Sequence, residues 1–332
     1  MMMEELDIKD RKILLALDMG ARMPDSSIAK IVGLSKQLTN YRIKRLEKQE
    51  IIISYYPVID HTKLGLQLYR IALKLENVTK EKEQDIINYL KNHAGWIVSV
   101  LGNWDIWMAI YAKNEFEFMK FWNNFYEKYG AYIENRWISL MTKFLNFERS
   151  FIYPQKKNRD RKLIIGENPK ILPLTTVDLT ILKELTKNAR QTSLELSKKI
   201  NQTERVVRYR LQKLENQKII LGYRPFINTD LLGFKYYKLF IQLKDVTKQD
   251  LQKIKTYITQ NPNVVYNTEA LGGYDFEIEV QFSNSQELIQ FISNLREAFP
   301  TNIKNINHME YIKEYKISYF PKVYNLKDYD LN

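Results

Sequence analysis

The chain has 332 residues, no cysteine, 45% hydrophobic residues, and 51 Lys and Arg against 39 Asp and Glu, a net charge of +12. This length suits about two domains, and the apolar content is enough for packed cores, which excludes a disordered tail. The missing cysteines exclude disulfides, thiolate zinc sites and cysteine nucleophiles, and they fit a reducing, cytoplasmic compartment. The longest apolar runs, such as residues 51–53 and 104–112, fall well short of the ~20 residues of a bilayer span, and the acidic start Met1–Asp10 lacks the order of a signal peptide. The cationic excess favours a polyanionic partner, nucleic acid rather than a membrane.

An internal duplication organises the chain. Leu6–Leu75 aligns without gaps on Leu174–Leu243, with about 22 identical positions, a level that chance does not produce. The matched pairs include Asp10/Asp178, Arg22/Arg190, Tyr41/Tyr209, Arg42/Arg210, Pro57/Pro225 and Gly65/Gly233, and after a two-residue insertion Gly102 and Asp105 match Gly272 and Asp275.

In chain order, each unit opens with helical periodicity. Asp7–Asp18 places Ile8, Ile13, Leu14 and Leu17 on one face, and Thr176–Leu185 does the same with Val177, Ile181, Leu182 and Leu185. Asp25 or Ser26 is expected to cap a second helix running through Val32, and Gly33 suits a left-handed turn. Ser35 caps a third helix with Leu38, Ile43 and Leu46 inward. In the second copy Asn201-Gln202 makes the turn, Thr203 is the cap, and Val206, Val207, Leu211 and Leu214 are the apolar positions. A helix, a short helix, a tight turn and a longer basic helix describe a helix-turn-helix. The third helix carries the charge, and a helix entering the major groove needs polar groups near its start and cations along its flank. The DNA-facing candidates are Lys36, Gln37, Thr39, Asn40, Arg42, Lys44 and Arg45 in the first copy, and Glu204, Arg205, Arg208, Arg210 and Lys213 in the second. Arg42, Arg45, Arg208 and Arg210 lead that set.

The second half of each unit changes period. Strands are expected at Tyr69–Leu75, Trp96–Leu101, Ile106–Ala112 and near Ile133–Phe147, with helices at Lys80–His93 and Glu115–Tyr129. The second copy has counterparts at Tyr237–Leu243, Val264–Leu271, Phe276–Phe282 and near Ile303–Tyr319, with helices at Gln249–Gln260 and Ser285–Phe299. The order βαββαβ is that of a ferredoxin-like sandwich, whose open sheet face must bury itself against something, most naturally a second copy of the domain. The fold class is therefore α+β, a duplicated tandem of a winged or plain helix-turn-helix and a ferredoxin-like domain. The expected boundaries are 1–60 and 61–153 for the first unit, 174–228 and 229–332 for the second. Residues 154–173, with their charged run Lys156–Lys162 and Pro169 and Pro173, read as a solvated linker.

The run Leu6-Asp7-x-x-Asp10-x-x-Ile13-Leu14-x-x-Leu17, with Ala21-Arg22, Ile28-Ala29, Gly33-Leu34-Ser35, Arg42-Ile43-x-x-Leu46-Glu47 and Ile51-Ile52, resembles the opening of Lrp/AsnC-family transcriptional regulators, and residues 174–220 repeat the pattern. The βαββαβ half resembles that family's effector-binding RAM domain, including its Gly-x-x-Asp turn. The resemblance implies DNA binding as dimers or higher oligomers paired through the RAM domains, and a small-molecule effector such as an amino acid. At the effector turn it points to Gly102, Asn103, Trp104 and Asp105, and to Gly272, Gly273, Tyr274 and Asp275, where backbone N–H groups could take a carboxylate and the aspartates an amine. The same residues could simply form a capped hairpin. This chain departs from the pattern by carrying two units, by Glu50 and Lys218 where a Gly usually follows the third helix, and by Asn201-Gln202-Thr203 in place of Gly-Leu-Ser. The two recognition surfaces are therefore unequal, and an asymmetric operator is expected. Whether the units pair within or between chains is open.

Other functions fit less well. The sirohaem decarboxylases are a branch with a similar two-part fold, but His61, His93 and His308 have no matched counterparts, and no catalytic triad, metal spacing or phosphate loop is present, so no enzyme and no cofactor are expected. An architectural DNA-binding protein without effector is the nearer alternative. Trp96, Trp107, Trp122 and Trp137 read as packing residues rather than a ligand cage, and no aromatic RNA-binding strand accompanies the charge.

Overall fold

A computed structural model describes residues 6–153 and 162–320. In the first unit, α1 (Ile8–Asp18) begins at a reciprocal cap, with Asp7 accepting from the Asp10 amide and Asp10 from the Asp7 amide. The second helix, α2 (Asp25–Val32), differs from expectation at its start. Pro24 holds the cap position without a side-chain bond, and Asp25 is the first helical residue, its carboxylate taken by Asn40 and Arg190. Gly33 ends it at φ 67°, and Ser35 caps α3 (Lys36–Lys48) by accepting from the Leu38 amide. Leu38 itself is exposed rather than inward: the buried stripe of α3 is Thr39, Ile43 and Leu46, at spacings of four and three, and Leu38 lies one residue off it.

Strand β1 (Ile52–Ile59) leads into β2 (Gln67–Leu75), α4 (Lys80–His93), β3 (Trp96–Leu101), β4 (Ile106–Ala112), α5 (Glu115–Tyr129) and β5 (Ile133–Phe147). A short strand, β6 (Lys162–Ile165), pairs with the end of β5 and buries Ile165, so the middle of the expected solvated linker lies against the sheet. The apolar Leu163-Ile164-Ile165 next to the free edge of β5 explains this. The basic positions 156–161 of that linker lie outside the described residues. The second unit repeats the order with α6 (Thr176–Lys187), α7 (Ser193–Ile200), α8 (Glu204–Asn216), β7 (Ile220–Ile227), β8 (Lys235–Leu243), α9 (Lys248–Gln260), β9 (Val264–Leu271), β10 (Phe276–Phe282), α10 (Ser285–Ala298) and β11 (Ile303–Ile317).

Each βαββαβ half forms a four-stranded antiparallel sheet with its two helices on one face, over cores built around Ile71, Met108 and Phe125 in one and Leu239, Ile278 and Phe291 in the other. The open faces meet within the chain. The 15-residue strands β5 and β11 are long enough to serve two sheets: β5 pairs with β2 and then with β9, and β11 with β8 and then with β3. These pairings close the eight strands of the two sheets into a ring. Between the sheets pack Trp107, Trp137, Phe240, Met309 and Tyr311, while Trp122 joins the core under α5, so these tryptophans are packing residues.

A second cross-copy element joins the helix-turn-helix units. Strands β1 and β7 form an antiparallel ribbon with Tyr56 opposite Arg224. Around it the two copies exchange equivalent bonds: the Ala21 amide donates to the Tyr223 carbonyl and the Ala189 amide to the Tyr55 carbonyl, both at 3.0 Å. The Arg22 guanidinium donates to the Ala189 and Gln191 carbonyls and lies over Tyr223, while Arg190 donates to the Ala21 carbonyl and lies over Tyr55. Two sequence-matched arginines thus clamp the units across a pseudo-twofold axis.

The ribbon is tied to the ring by a buried ionic node without a counterpart in the other copy. Asp18, fully buried at the end of α1, accepts from Arg149 (2.6 Å) and Arg224 (2.7 and 2.9 Å) and from the Arg149 amide (2.8 Å). Burial alone would raise its carboxyl pKa, but the Arg224 and Arg149 guanidiniums outweigh it and hold the group below the ordinary carboxylate range.

Two predictions follow from the backbone and from this node. Glu50 and Lys218 sit at φ 56° and 58°, so the position after each third helix does require a left-handed residue that neither copy fills with glycine. Glu50→Gly and Lys218→Gly should each raise stability by up to about 1 kcal/mol in urea denaturation. Asp18→Asn should cost about 3 kcal/mol at neutral pH, because it strands two buried guanidiniums. The folded-state pKa of Asp18 is depressed, so its contribution is present above the unfolded carboxylate pKa of about 4 and is lost as pH falls through the lower folded value. Acid unfolding should therefore be less steep in Asp18→Asn than in the wild type below about pH 4.

Candidate nucleic-acid interface

The sequence-matched helices α3 and α8 occupy the third position of each helix-turn-helix, and the structure sorts their polar residues into two groups. One group is held inward. Thr39, expected to face bases, is buried, and its hydroxyl donates to the Ser35 carbonyl at 2.9 Å. Arg42 donates to Asp7 (2.7 Å) and Asp10 (3.0 Å), and Arg45 to Asp10 (2.6 Å); Asp10 is fully buried. In the second copy Arg210 pairs with buried Asp178 at 3.4 Å, and Lys213 is half-buried. Three of the four leading arginines therefore brace α3 and α8 against the first helix of their own unit. The reason is electrostatic: a carboxylate at the third position of α1 and α6 completes that helix's cap and is buried, so it requires cationic partners, and the flank of the third helix supplies them.

The other group faces outward. On α3 it comprises Lys36, Gln37, Tyr41, Lys44 and Lys48, with Asn40 at the margin and bonded to Asp25 (2.7 Å). On α8 it comprises Arg205, Arg208, Tyr209 and Gln212; Arg208 is exposed and bridges back to Glu204 at 2.5 Å. Tyr41 and Tyr209 are each 62% exposed, at matched positions in the middle of this outward face. They were not among the sequence candidates, although their identity in the two copies was the available signal. Matched positions also differ in charge, with Lys36 against Glu204, Gln37 against Arg205 and Asn40 against Arg208.

The two Gly-x-x-Asp turns lie along the seam between the ferredoxin-like halves. Gly102 (φ 147°) abuts His308 and Met309 of β11, and Gly272 (φ 73°) abuts Ile138 and Ser139 of β5. The Asp105 carboxylate accepts from the Leu75 amide (2.7 Å) and pairs with Lys74 (3.0 Å), and Asp275 accepts from the Leu243 amide (2.7 Å). Each aspartate thus pins the end of a neighbouring strand. Trp104 and Tyr274 pack against the inter-sheet cluster, and Asn103 is exposed. Under the second turn, Glu277 is buried, accepts from the Tyr274 amide (3.3 Å) and pairs with Arg70 and, at 3.4 Å, with Lys238. Burial opposes its charge, but Arg70 and Lys238 hold its pKa below the ordinary range. Gly273 is packed so closely on this carboxylate that a Cβ there would lie 2.6 Å from it.

Of the histidines, His61 is neither exposed nor hydrogen-bonded: it is buried beside Tyr111, and burial lowers its pKa to about 3. His93 is half-buried with Nδ1 2.9 Å from the Tyr89 carbonyl, and His308 is exposed. Among the described residues no group of His, Asp and Glu could hold a metal ion, and no helix is long and apolar enough to cross a membrane.

Comparison with known proteins agrees with this architecture. The winged helix-turn-helix DNA-binding family matches residues 6–53 and again 174–220. An HTH-type transcriptional regulator of Pyrococcus furiosus is 31% identical over 128 residues, 38% of this chain and 83% of the relative. One from Pyrococcus abyssi is 30% identical with the same coverage. Among solved structures, the sirohaem decarboxylase NirDL superimposes with a TM-score of 0.61 over 97% of this chain and 98% of its own, at 14% identity, a likeness of fold. With two such units in one polypeptide, the chain belongs to the HTH-type transcriptional regulators, in keeping with the Lrp/AsnC resemblance of its sequence motifs.

Proposed function

We propose that this chain is a sequence-specific regulator that binds double-stranded DNA as a built-in pseudo-dimer, its α3 and α8 entering the major groove. The observation that carries this reading is the pairing of outward polar and aromatic faces on both third helices with a β1–β7 ribbon that sets one unit against the other. A helix-turn-helix dimer reads two half-sites at a spacing fixed by its own geometry, and here that geometry is intramolecular. The proposed contacts are Lys36, Gln37, Asn40, Tyr41 and Lys44 from α3, and Arg205, Arg208, Tyr209 and Gln212 from α8, with Glu204 at the margin. Arg42, Arg45, Arg210 and Lys213 act by holding the helices in place. The aspartates of the Gly-x-x-Asp turns, engaged with strand amides, act in the fold rather than as amine ligands for an amino acid. Further association of chains through the outer faces of the ferredoxin-like halves is compatible with exposed Phe116 and Ile289.

A second reading, a sirohaem-decarboxylase-like enzyme, is favoured by the end-to-end likeness of fold. Against it, the one histidine that lines the cavity between the sheets, His61, is buried and neutral across the physiological range.

Selection of binding sites from genomic fragments at two salt concentrations tests the main reading. A recurring, asymmetric motif bound in a salt-dependent manner is expected, because matched contact positions differ in charge. Salt-sensitive binding without a motif would favour an architectural role, and no binding at either salt would overturn DNA binding and return the enzyme reading. Within that assay, Arg205→Ala and Arg208→Ala should weaken binding and reduce the salt slope by about one each where the arginine meets a phosphate. Arg42→Ala should instead lower the unfolding midpoint, by leaving buried Asp10 with one partner fewer. An unchanged midpoint would remove the bracing role assigned to Arg42.

A further inference from the structure

Asn40 stands apart from the other outward polar residues of α3 in being anchored. Its Nδ2 donates to Asp25 Oδ2 at 2.7 Å, and Arg190 of the second unit grips Asp25 Oδ1 at 2.6 Å. Arg190 is fixed in turn, donating to the Ala21 carbonyl at 2.8 Å and lying over the Tyr55 ring. The Arg190 and Asp25 side chains are only 19% and 15% exposed, so water screens their attraction less than that of an open surface pair. A continuous chain of bonds thus runs from the second unit, through the clamp, to the outward helix of the first.

The polarity of that chain decides what Asn40 can offer. A side-chain amide has an oxygen that accepts and a nitrogen with two N–H donors, and an unanchored asparagine can present either end. A carboxylate only accepts, so Asp25 holds the nitrogen end of Asn40 and fixes the sense of the amide. One N–H is used in this bond. The second N–H and Oδ1 remain as an adjacent donor and acceptor on a half-buried residue at the edge of the outward face. In the major groove adenine presents the complementary pair, N7 accepting and the N6 amino group donating.

The second copy lacks the arrangement. Ser193 stands at the position matched to Asp25, and Arg22, matched to Arg190, donates to the Ala189 and Gln191 carbonyls instead. Arg208, matched to Asn40, carries donors and no acceptor, so it cannot accept from the adenine amino group. Its ion pair with Glu204, with side chains 72% and 40% exposed, holds neither residue firmly.

We infer, on the DNA-binding reading of α3 and α8, that Asn40 reads an adenine in the α3 half-site and that Asp25 and Arg190 are the residues that position it. The base contact belongs to the first unit, but its geometry is set by an arginine of the second. The α3 half-site therefore holds an adenine preference that the α8 half-site lacks at the matched position. Base selectivity at α3 also depends on the two units being clamped together.

The test is selection from random double-stranded DNA with the full chain, followed by competition between the selected site and its single-base variants. The wild type should show one position of one half-site at which adenine is preferred by about tenfold or more, the worth of a good bidentate base contact. Asn40→Ala should remove that preference. Asp25→Ser, which installs the residue found at the matched position of the second copy, should relax it at the same position and leave the other half-site unchanged. Asp25→Ser combined with Asn40→Ala should show no loss of selectivity beyond Asn40→Ala alone, since both act through one contact. If Asp25→Ser does not fold, Arg190→Lys, which keeps the charge but not the fork that grips Asp25 and the Ala21 carbonyl together, should relax the same position. A mere staple between α2 and α3 would instead weaken binding to all sites alike. Full adenine preference in folded Asp25→Ser, equal relaxation of both half-sites, or unchanged selectivity in Asn40→Ala would each overturn the inference while DNA binding stands. Failure of the wild type to select any motif would overturn sequence-specific binding itself, so the two failures are distinct.

Discussion

The fold rests on one constraint: a ferredoxin-like sheet has helices on only one face, and the other face, which here carries Trp107 and Phe240 beside Arg70, Lys238 and Glu277, must be covered. A chain with one such domain can satisfy this only with another molecule. This chain satisfies it internally, because it carries the domain twice and because β5 and β11, at 15 residues each, run beyond their own sheets to pair with β9 and β3. Closing eight strands into a ring leaves these two sheets without the long open edges that invite association, and it places Trp107, Trp137 and Phe240 in a common interior. The β1–β7 ribbon and the Arg22 and Arg190 clamps repeat the same solution one level up, turning two small helical units into one block.

Fusion frees the two copies to diverge, and at two buried sites the divergence removes a charge that the pseudo-symmetry would otherwise duplicate. Asp18 gathers Arg149 and Arg224, and its matched position is Thr186; the partners of Arg224 and Arg149 in the other copy are Tyr56 and Tyr319. Arg70 and Lys238 are matched, yet both are served by Glu277, whose counterpart is Trp107. Each node is an ionic cluster built from both copies rather than one per copy. Such clusters need complete pairing in a dry interior, and an isolated member would be strongly unfavourable. The same asymmetry reaches the outward face, where Lys36 stands against Glu204.

The buried arginines also show why charge on a helix is a poor guide to its use. Arg42 and Lys44 lie two residues apart on the same basic helix, but one reaches inward to Asp10 and the other points to solvent. A long side chain whose Cβ lies at the border of the buried stripe is drawn to whichever buried carboxylate lies within reach, and desolvation of that carboxylate makes the pairing obligatory.

The duplication, most helix caps and the limits of the ferredoxin-like strands were legible in the amino-acid sequence, since they depend on local periodicity and on residues such as Gly33, Ser35 and Thr203 whose effect spans a single turn, whereas the ribbon strands β1 and β7 were not expected. Family membership was legible for the same reason, being carried by short motifs. The sequence even held, unread, the signal for the bracing pairs: Asp10 with Arg42 and Asp178 with Arg210 recur together in both copies. What it could not decide was anything requiring the distance between remote segments. Which arginines of α3 and α8 point outward, that β6 rather than open linker follows β5, that His61 is buried without a partner, and that the two open faces close on each other within one chain all depend on tertiary packing. Periodicity states which face of an element is apolar; only the assembled structure states what lies opposite, and therefore which polar groups are paired.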